Sequence, residues 1–294
     1  MAKTRELKRR IRSVQNTRKI TRTMEMVATS KLKRSQDRVV AARPYAQALA
    51  GVIADMLTPE LAERYPLLRR PAPPQHGGPG TAAVLLITSN RGLAGAFNAN
   101  LMRAARAKAQ ELEAAGYAVQ LLAVGKKGIK YFQHLKRPLA LARIDIGDRP
   151  TAQHALELVE TLAAEFAAGR LASLDVVYAN FRSALSTPPA ILRVFPVDPG
   201  TAAAKGPAPN YILKPDADAI LDSLLPLYVK NQVYRALVET AASEQGARRT
   251  AMKNATDNAG EILNILTRTY NRARQAQITQ EIAEIVGGAA SLEG

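Results

Sequence analysis

The 294-residue chain has no cysteine and no tryptophan, and aromatic residues make up only 5% of it. Without cysteine it forms no disulfide, holds no metal through thiolate and carries no thiol redox switch. Without tryptophan and with few other rings, it lacks the means to build a base-stacking platform for single-stranded nucleic acid. Acidic residues are also scarce: 25 Asp and Glu stand against 41 Lys and Arg, a formal charge of +16. No apolar run reaches the roughly 20 residues that span a bilayer. The opening letters, MAKTRELKRR, are charged with no apolar stretch after them, so no secretory signal is expected there.

The excess of positive charge predicts an acidic partner. A basic coiled-coil protein that binds nucleic acid is one reading, although helix-turn-helix, zinc-finger and RNA-recognition signatures are missing. A solvated, salt-sensitive surface is the plainer one.

What is present is long-range helical periodicity at both ends. Residues 243–286 contain no proline, and Gly287 and Gly288 follow, where a helix is expected to stop. Small or apolar residues recur at Met252, Ala255, Ala259, Ile262, Leu266, Thr269, Ala273 and Ala276 in alternating steps of three and four. That is the spacing of a coiled-coil seam, and equally of a buried helix in a bundle. Residues 3–57 read as a second long helix, with a seam running from Leu7 through Ile11, Val14, Ala28, Leu32 and Val39 to Met56. Its middle is polar, at Arg18, Thr21 and Glu25. At 1.5 Å per residue it would be roughly 80 Å long, too long for the core of a compact domain. Pro44 is expected to bend it.

The middle of the chain is different. A Pro/Gly-rich stretch at 69–80 marks a boundary. After it comes AAVLLIT at 82–88, a continuous apolar run typical of a strand buried on both faces. Helices are predicted at 98–115, 127–135 and 151–168, the last with Thr151 as N-cap. Further strands are predicted at 119–124, 174–181 and 191–197. The alternation implies a small, mainly parallel α/β sheet. Pro226 is expected to break or kink the apolar run around it, with helix from 227 onward. The fold class is therefore α+β: a long antiparallel two-helix coiled coil made from both ends, with an inserted Rossmann-like α/β domain. The expected segments are 1–68, 81–197 and 210–288.

The search for chemistry finds little. The loop SNRGLAGAFN at 89–98 has Gly92 and Gly95 but neither GxxxxGK[ST] nor GxGxxG, so a tight turn is favoured over a phosphate cradle. An α/β enzyme with helical arms would need a ligand at that loop. His76, His134 and His154 have no ligand-like spacing, so no metal is expected. No nucleophile–base set or carboxylate pair stands out. No catalytic residue and no cofactor are expected, and the balance favours a mechanical or binding role.

The strings RRIRSVQNTRKITRTMEMVATSKL, ITSNRGLAGAFN, AMKNATDNAGEI and YNRARQAQITQEIAEIVGGAA resemble, in that order, the signature segments of the γ family of F-type ATP synthases. The resemblance covers residues 3–290. It implies a non-catalytic rotor whose end helices pass through a hexameric head of α and β subunits. It implies an α/β foot beside the ε subunit and on a ring of c subunits, with the whole peripheral to the cytoplasmic face of the plasma membrane and no role in nucleic-acid binding. It carries head contacts onto Met24, Arg248, Gln275, Thr279, Glu281 and Glu284. Foot contacts fall near Tyr211 and Lys214, where relatives carry an acid in place of the lysine. The regulatory cysteine pair of the chloroplast form is absent.

Overall fold

A computed structural model describes residues 2–56, 64–69, 80–197 and 217–290. Its elements are α1 (Ala2–Met56), β1 (Thr81–Ile87), α2 (Phe97–Ala114), β2 (Ala118–Val124), α3 (Lys126–His134), β3 (Leu141–Arg143), α4 (Ala152–Ala167), β4 (Leu171–Ala179), β5 (Pro189–Phe195) and α5 (Ala217–Ala290). The chain divides into two compact units. One comprises Met1–Ala28 and Arg249–Gly294, the other Thr29–Arg248. Helices α1 and α5 each contribute to both.

The larger unit is built on a five-stranded sheet in the order β3-β2-β1-β4-β5. All neighbours are parallel except β4 and β5, which are antiparallel. The reason β1 is central is visible in its letters. Ala83, Leu85 and Ile87 join the apolar cluster on one face, Ala82, Val84 and Leu86 the cluster on the other. A strand buried on both sides needs no polar alternation. Helices α2 and α3 cover the second face with Leu101, Ala105, Leu112 and Phe132. The first face is covered by α4 (Leu158, Leu162), by the end of α1 (Leu49, Ile53, Met56) and by the start of α5 (Leu221, Leu225, Val229, Val233). Thr151 caps α4 as its sequence position predicts. Its hydroxyl accepts from the His154 amide, and His154 Nδ1 accepts from the Thr151 amide.

Two expectations about α5 are corrected. Pro226 does not break it: the helix is continuous from Ala217 to Ala290. Pro226 is exposed, so the carbonyl it leaves unpaired can turn to water, while Leu221, Leu225, Tyr228 and Val229 are buried in the core. That burial offsets the roughly 3 kcal/mol a mid-helix proline costs. Nor do Gly287 and Gly288 end it. A Cβ on Gly287 would meet nothing, and a glycine in open helix lowers propensity by about 1 kcal/mol without forcing a turn.

The smaller unit is an antiparallel helix pair. The Thr256 hydroxyl lies 2.8 Å from Thr21 Oγ1, Gly260 faces the Arg18 guanidinium, and Thr4 Oγ1 donates to Gln277 Oε1 at 3.0 Å. Along α1 the inward positions follow the predicted seam, Ala28 and Thr21 being buried, but Arg18 is exposed. Along α5 only every second predicted position is right. Met252, Ala259, Leu266 and Ala273 face inward; their companions are Thr256, Leu263, Tyr270 and Gln277, each one residue beyond the predicted Ala255, Ile262, Thr269 and Ala276. From Met252 the helix runs four-then-three, not the expected three-then-four. The shift leaves Ile262 and Ile265 exposed at 47% and 63%.

Candidate functional site

Open α/β sheets bind ligands outside the carboxyl ends of their strands, where the strand order reverses. Here that place lies between β1 and β4, and α5 runs across it. Thr240 Oγ1 accepts from the Ala179 amide and Ser243 Oγ donates to the Ala179 carbonyl, both at 3.2 Å. Glu239 Oε2 accepts from the Phe181 amide at 3.3 Å, and its other oxygen pairs with Arg235. A cavity of about 460 Å3 is left, lined by Ser89, Asn90, Asp145, Asp148, Thr240 and Glu244 among others.

Each carboxylate around it is paired with a cation, while Arg91 and Arg149 line it exposed. Arg143 grips Asp145 through Nε and Nη2 at 2.7 and 2.6 Å and holds that carboxyl down at about 2. Lys31 meets Asp148 at 2.5 Å. Glu244 is pushed above the usual carboxylate range by burial, and Arg248, 2.5 Å away, pulls it back. The first amides of α3 are spent as well: those of Lys126, Lys127 and Gly128 donate to Asn90 Oδ1, Ser89 O and Thr88 Oγ1. The 89–98 loop folds back on itself, with Asn98 Oδ1 accepting from the Ser89 amide. Leu93 and Gly95 take positive φ there. No group of three or more His, Asp or Glu able to hold a metal occurs among the described residues, and no described helix is long and apolar enough to cross a membrane.

The residues singled out in the sequence separate between the two units. Arg248 belongs to the larger one. It is buried, and besides Glu244 it donates to the Gly92 carbonyl. Met24 is half-buried on α1 of the helix pair. Gln275, Thr279, Glu281 and Glu284 are all exposed on the last turns of α5. The Thr279 hydroxyl donates to the Gln275 carbonyl, Glu281 accepts from Gln277, and Glu284 accepts from Gln280. These are ordinary helix-surface bonds. Tyr211 and Lys214 lie outside the described residues.

Sequence reasoning passed over two features of the helix pair. One is a groove of about 410 Å3 lined by Gln15, Arg18, Lys19, Arg22 and Leu263, cationic on the α1 side. The other is an apolar stripe at Ile278, Ile282, Ile285 and Val286, exposed at 48%, 57%, 72% and 62%. The spacing of four, three and one places the stripe on one helix face. The letters ITQEIAEIV carried that signal, but the run was read as part of a motif, not as a surface.

A sheet whose ligand crevice is crossed by its own helix, joined to a helix pair with unmatched apolar residues, defines a binding or mechanical subunit. Comparison with known proteins gives the family. Residues 3–292 match the family model described as ATP synthase. The ATP synthase gamma chain of Gemmatimonas aurantiaca is 60% identical over the full length of both chains, and that of Leptospira biflexa is 40% identical over 99% of this chain and 100% of its own. Among solved structures, a chain of the Euglena gracilis mitochondrial ATP synthase rotor superposes with a TM-score of 0.65 at 19% identity, covering 94% of this chain and 99% of that one. The chain belongs to the ATP synthase gamma chain family.

Proposed function

We propose that the chain is the central-stalk rotor subunit of an ATP synthase. In this reading the helix pair turns inside a head of α and β subunits, and the α/β unit meets an ε subunit and a membrane ring of c subunits. It acts peripherally, at the cytoplasmic face of the plasma membrane, and performs no chemistry itself. Of the expected segments 1–68, 81–197 and 210–288, the helical parts that pair, 2–28 of α1 and 249–290 of α5, act as the shaft and the α/β unit as the foot. Full-length relationship to gamma chains supports the assignment. Within the chain the observation that carries it is the stripe from Ile278 to Val286, four large apolar side chains that the described residues leave about half or more exposed.

The mechanism is a shift of equilibria. A ligand moves a two-state protein only by binding one state better than the other. Two helices side by side lack threefold symmetry, so surrounding β subunits meet different faces of the pair. Turning it changes which subunit is held open or closed. Arg18, Lys19 and Arg22 suit acidic loops of the head, and Met24, Arg248, Gln275, Thr279, Glu281 and Glu284 are the proposed contact positions. Tyr211 and Lys214 are the proposed contacts with the ring.

Met24→Lys tests the head contact. A lysine pressed against an apolar partner costs about 1–3 kcal/mol in the states that press it hardest. ATP hydrolysis by the assembled complex is expected to persist while ions pumped per ATP fall. Hydrolysis and pumping measured on the same vesicles decide it; an unchanged ratio removes Met24 from the contact.

A further inference from the structure

Apolar packing holds surfaces together but has no direction, so packed helices can slide or roll. Hydrogen bonds have preferred lengths and angles and resist both motions. The larger unit concentrates such bonds on one residue, Asp148, in the loop joining β3 to α4. Lys31 Nζ on α1 donates to its Oδ2 at 2.5 Å. Gln245 Nε2 on α5, in a residue only 2% exposed, donates to its Oδ1 at 3.3 Å. Arg38 Nη1, seven residues beyond Lys31 on α1, donates to its carbonyl at 3.3 Å. Two turns of helix, roughly 10 Å, separate the two α1 donors along the axis. A slide of α1 in either direction lengthens one bond or the other. The loop is itself tied to the sheet, since Asn90 Nδ2 donates to the Ile144 carbonyl at 2.9 Å and Asn90 Oδ1 accepts from the Lys126 amide.

We infer that Asp148, with Lys31, Arg38 and Gln245, is a torque clamp: it fixes α1 and α5 to the α/β sheet so that turning force passes between them without slip. The assignment rests on the rotor reading and names the positioning residues that reading requires. The exposure of the pair separates this role from plain stabilisation. The Lys31 and Asp148 side chains are 40% and 41% exposed, and ion pairs of that kind add little to folding. Their contribution is to geometry.

The test uses the whole complex, immobilised through its head, with a bead on the α/β unit. The chain has no cysteine, so Leu185→Cys, at a side chain 84% exposed, gives a unique attachment point. In the presence of a non-hydrolysable ATP analogue, Lys31→Met and Asp148→Asn are expected to raise the occupancy of displaced bead angles by about threefold. The unfolding equilibrium constant of the full chain in urea rises by no more than that same factor. The exchange Lys31→Asp with Asp148→Lys restores the narrow distribution, because a lysine at 148 can still reach Gln245 Oε1. A parent bead that turns with ATP while both variants keep its narrow distribution overturns the clamp alone. So does broadening that the exchange does not restore and that comes with a loss of urea stability well beyond that factor, which is the behaviour of a structural contact. A parent bead that does not turn overturns the rotor reading and the clamp with it.

Discussion

Gly125→Ala is expected to destabilise the larger unit by roughly 3–5 kcal/mol, a strain contribution and an overpacking contribution of similar size. Gly125 stands between β2 and α3 with φ 94° and ψ 139°, a backbone conformation open almost only to glycine. A Cβ there would lie 2.2 Å from the Thr88 carbonyl oxygen, which is backbone and cannot swing aside. The surroundings are committed too. The Thr88 amide donates to the Val124 carbonyl, the Gly125 amide to the Arg143 carbonyl, and the Gly128 amide to Thr88 Oγ1. Moving any of them loosens the joint of β1, β2, β3 and α3. Against a usual domain stability of about 5–15 kcal/mol, the loss leaves a marginal fold. Urea unfolding of the full chain reads it. Gly147→Ala is the control: its Cβ would meet nothing within 4 Å, and a shift within about 0.5 kcal/mol is expected.

The second large effect is asymmetric. Asp175 on β4 is 1% exposed and receives Arg193 Nε and Nη2 from β5 at 2.7 and 2.9 Å. That hydrogen-bonded carboxylate raises the pKa of Arg193 further. Lys108 Nζ stands 4.0 Å from the same carboxylate and is held by Glu111 at 2.7 Å. The Arg193 side chain is 44% exposed. Removing Arg193 leaves a buried anion with no hydrogen-bonding cation, only Lys108 at 4.0 Å; removing Asp175 frees a cation that can turn to water. Arg193→Met is therefore expected to cost about 3 kcal/mol or more, and Asp175→Asn about 1–2 kcal/mol. The pair replaced together should lose less than the sum, by the coupling between them. Equal single losses that add would show that the carboxylate is not dependent on its partner.

Both effects sit at places where the sequence was only partly legible. The six apolar letters from Ala82 to Ile87 announce a doubly buried strand, since both faces of β1 need the same kind of residue. The single aspartate in LDVVYA breaks such a run, and only the neighbouring strand shows what balances it. Strand β3 went unread because three residues at a sheet edge carry no periodicity. Heptad spacing locates the α5 seam but not its phase: the row Ala255, Ile262, Thr269, Ala276 is smaller and no more polar than the row Thr256, Leu263, Tyr270, Gln277 that faces inward, so the letters alone favour the wrong one. Pro226 follows the same logic: local propensity loses to four side chains of the same helix, Leu221, Leu225, Tyr228 and Val229, that distant segments bury.

The site divides in the same way. The contact positions came from resemblance to a family, letter by letter, and periodicity alone assigned them no partner. What coordinates add is the environment of each. Arg248 is engaged inside the larger unit with Glu244 and Gly92, whereas Gln275, Thr279, Glu281 and Glu284 lie open beside an apolar stripe. The donors on Asp148 come from residues 31, 38 and 245, and no sequence spacing joins those three.

The most direct test is to watch the chain move. With the head of the purified complex fixed to a surface and a bead on Leu185→Cys, adding ATP should set the bead turning continuously in one sense. A bead that only fluctuates about a fixed angle, in a complex that hydrolyses ATP at its normal rate, would contradict the account.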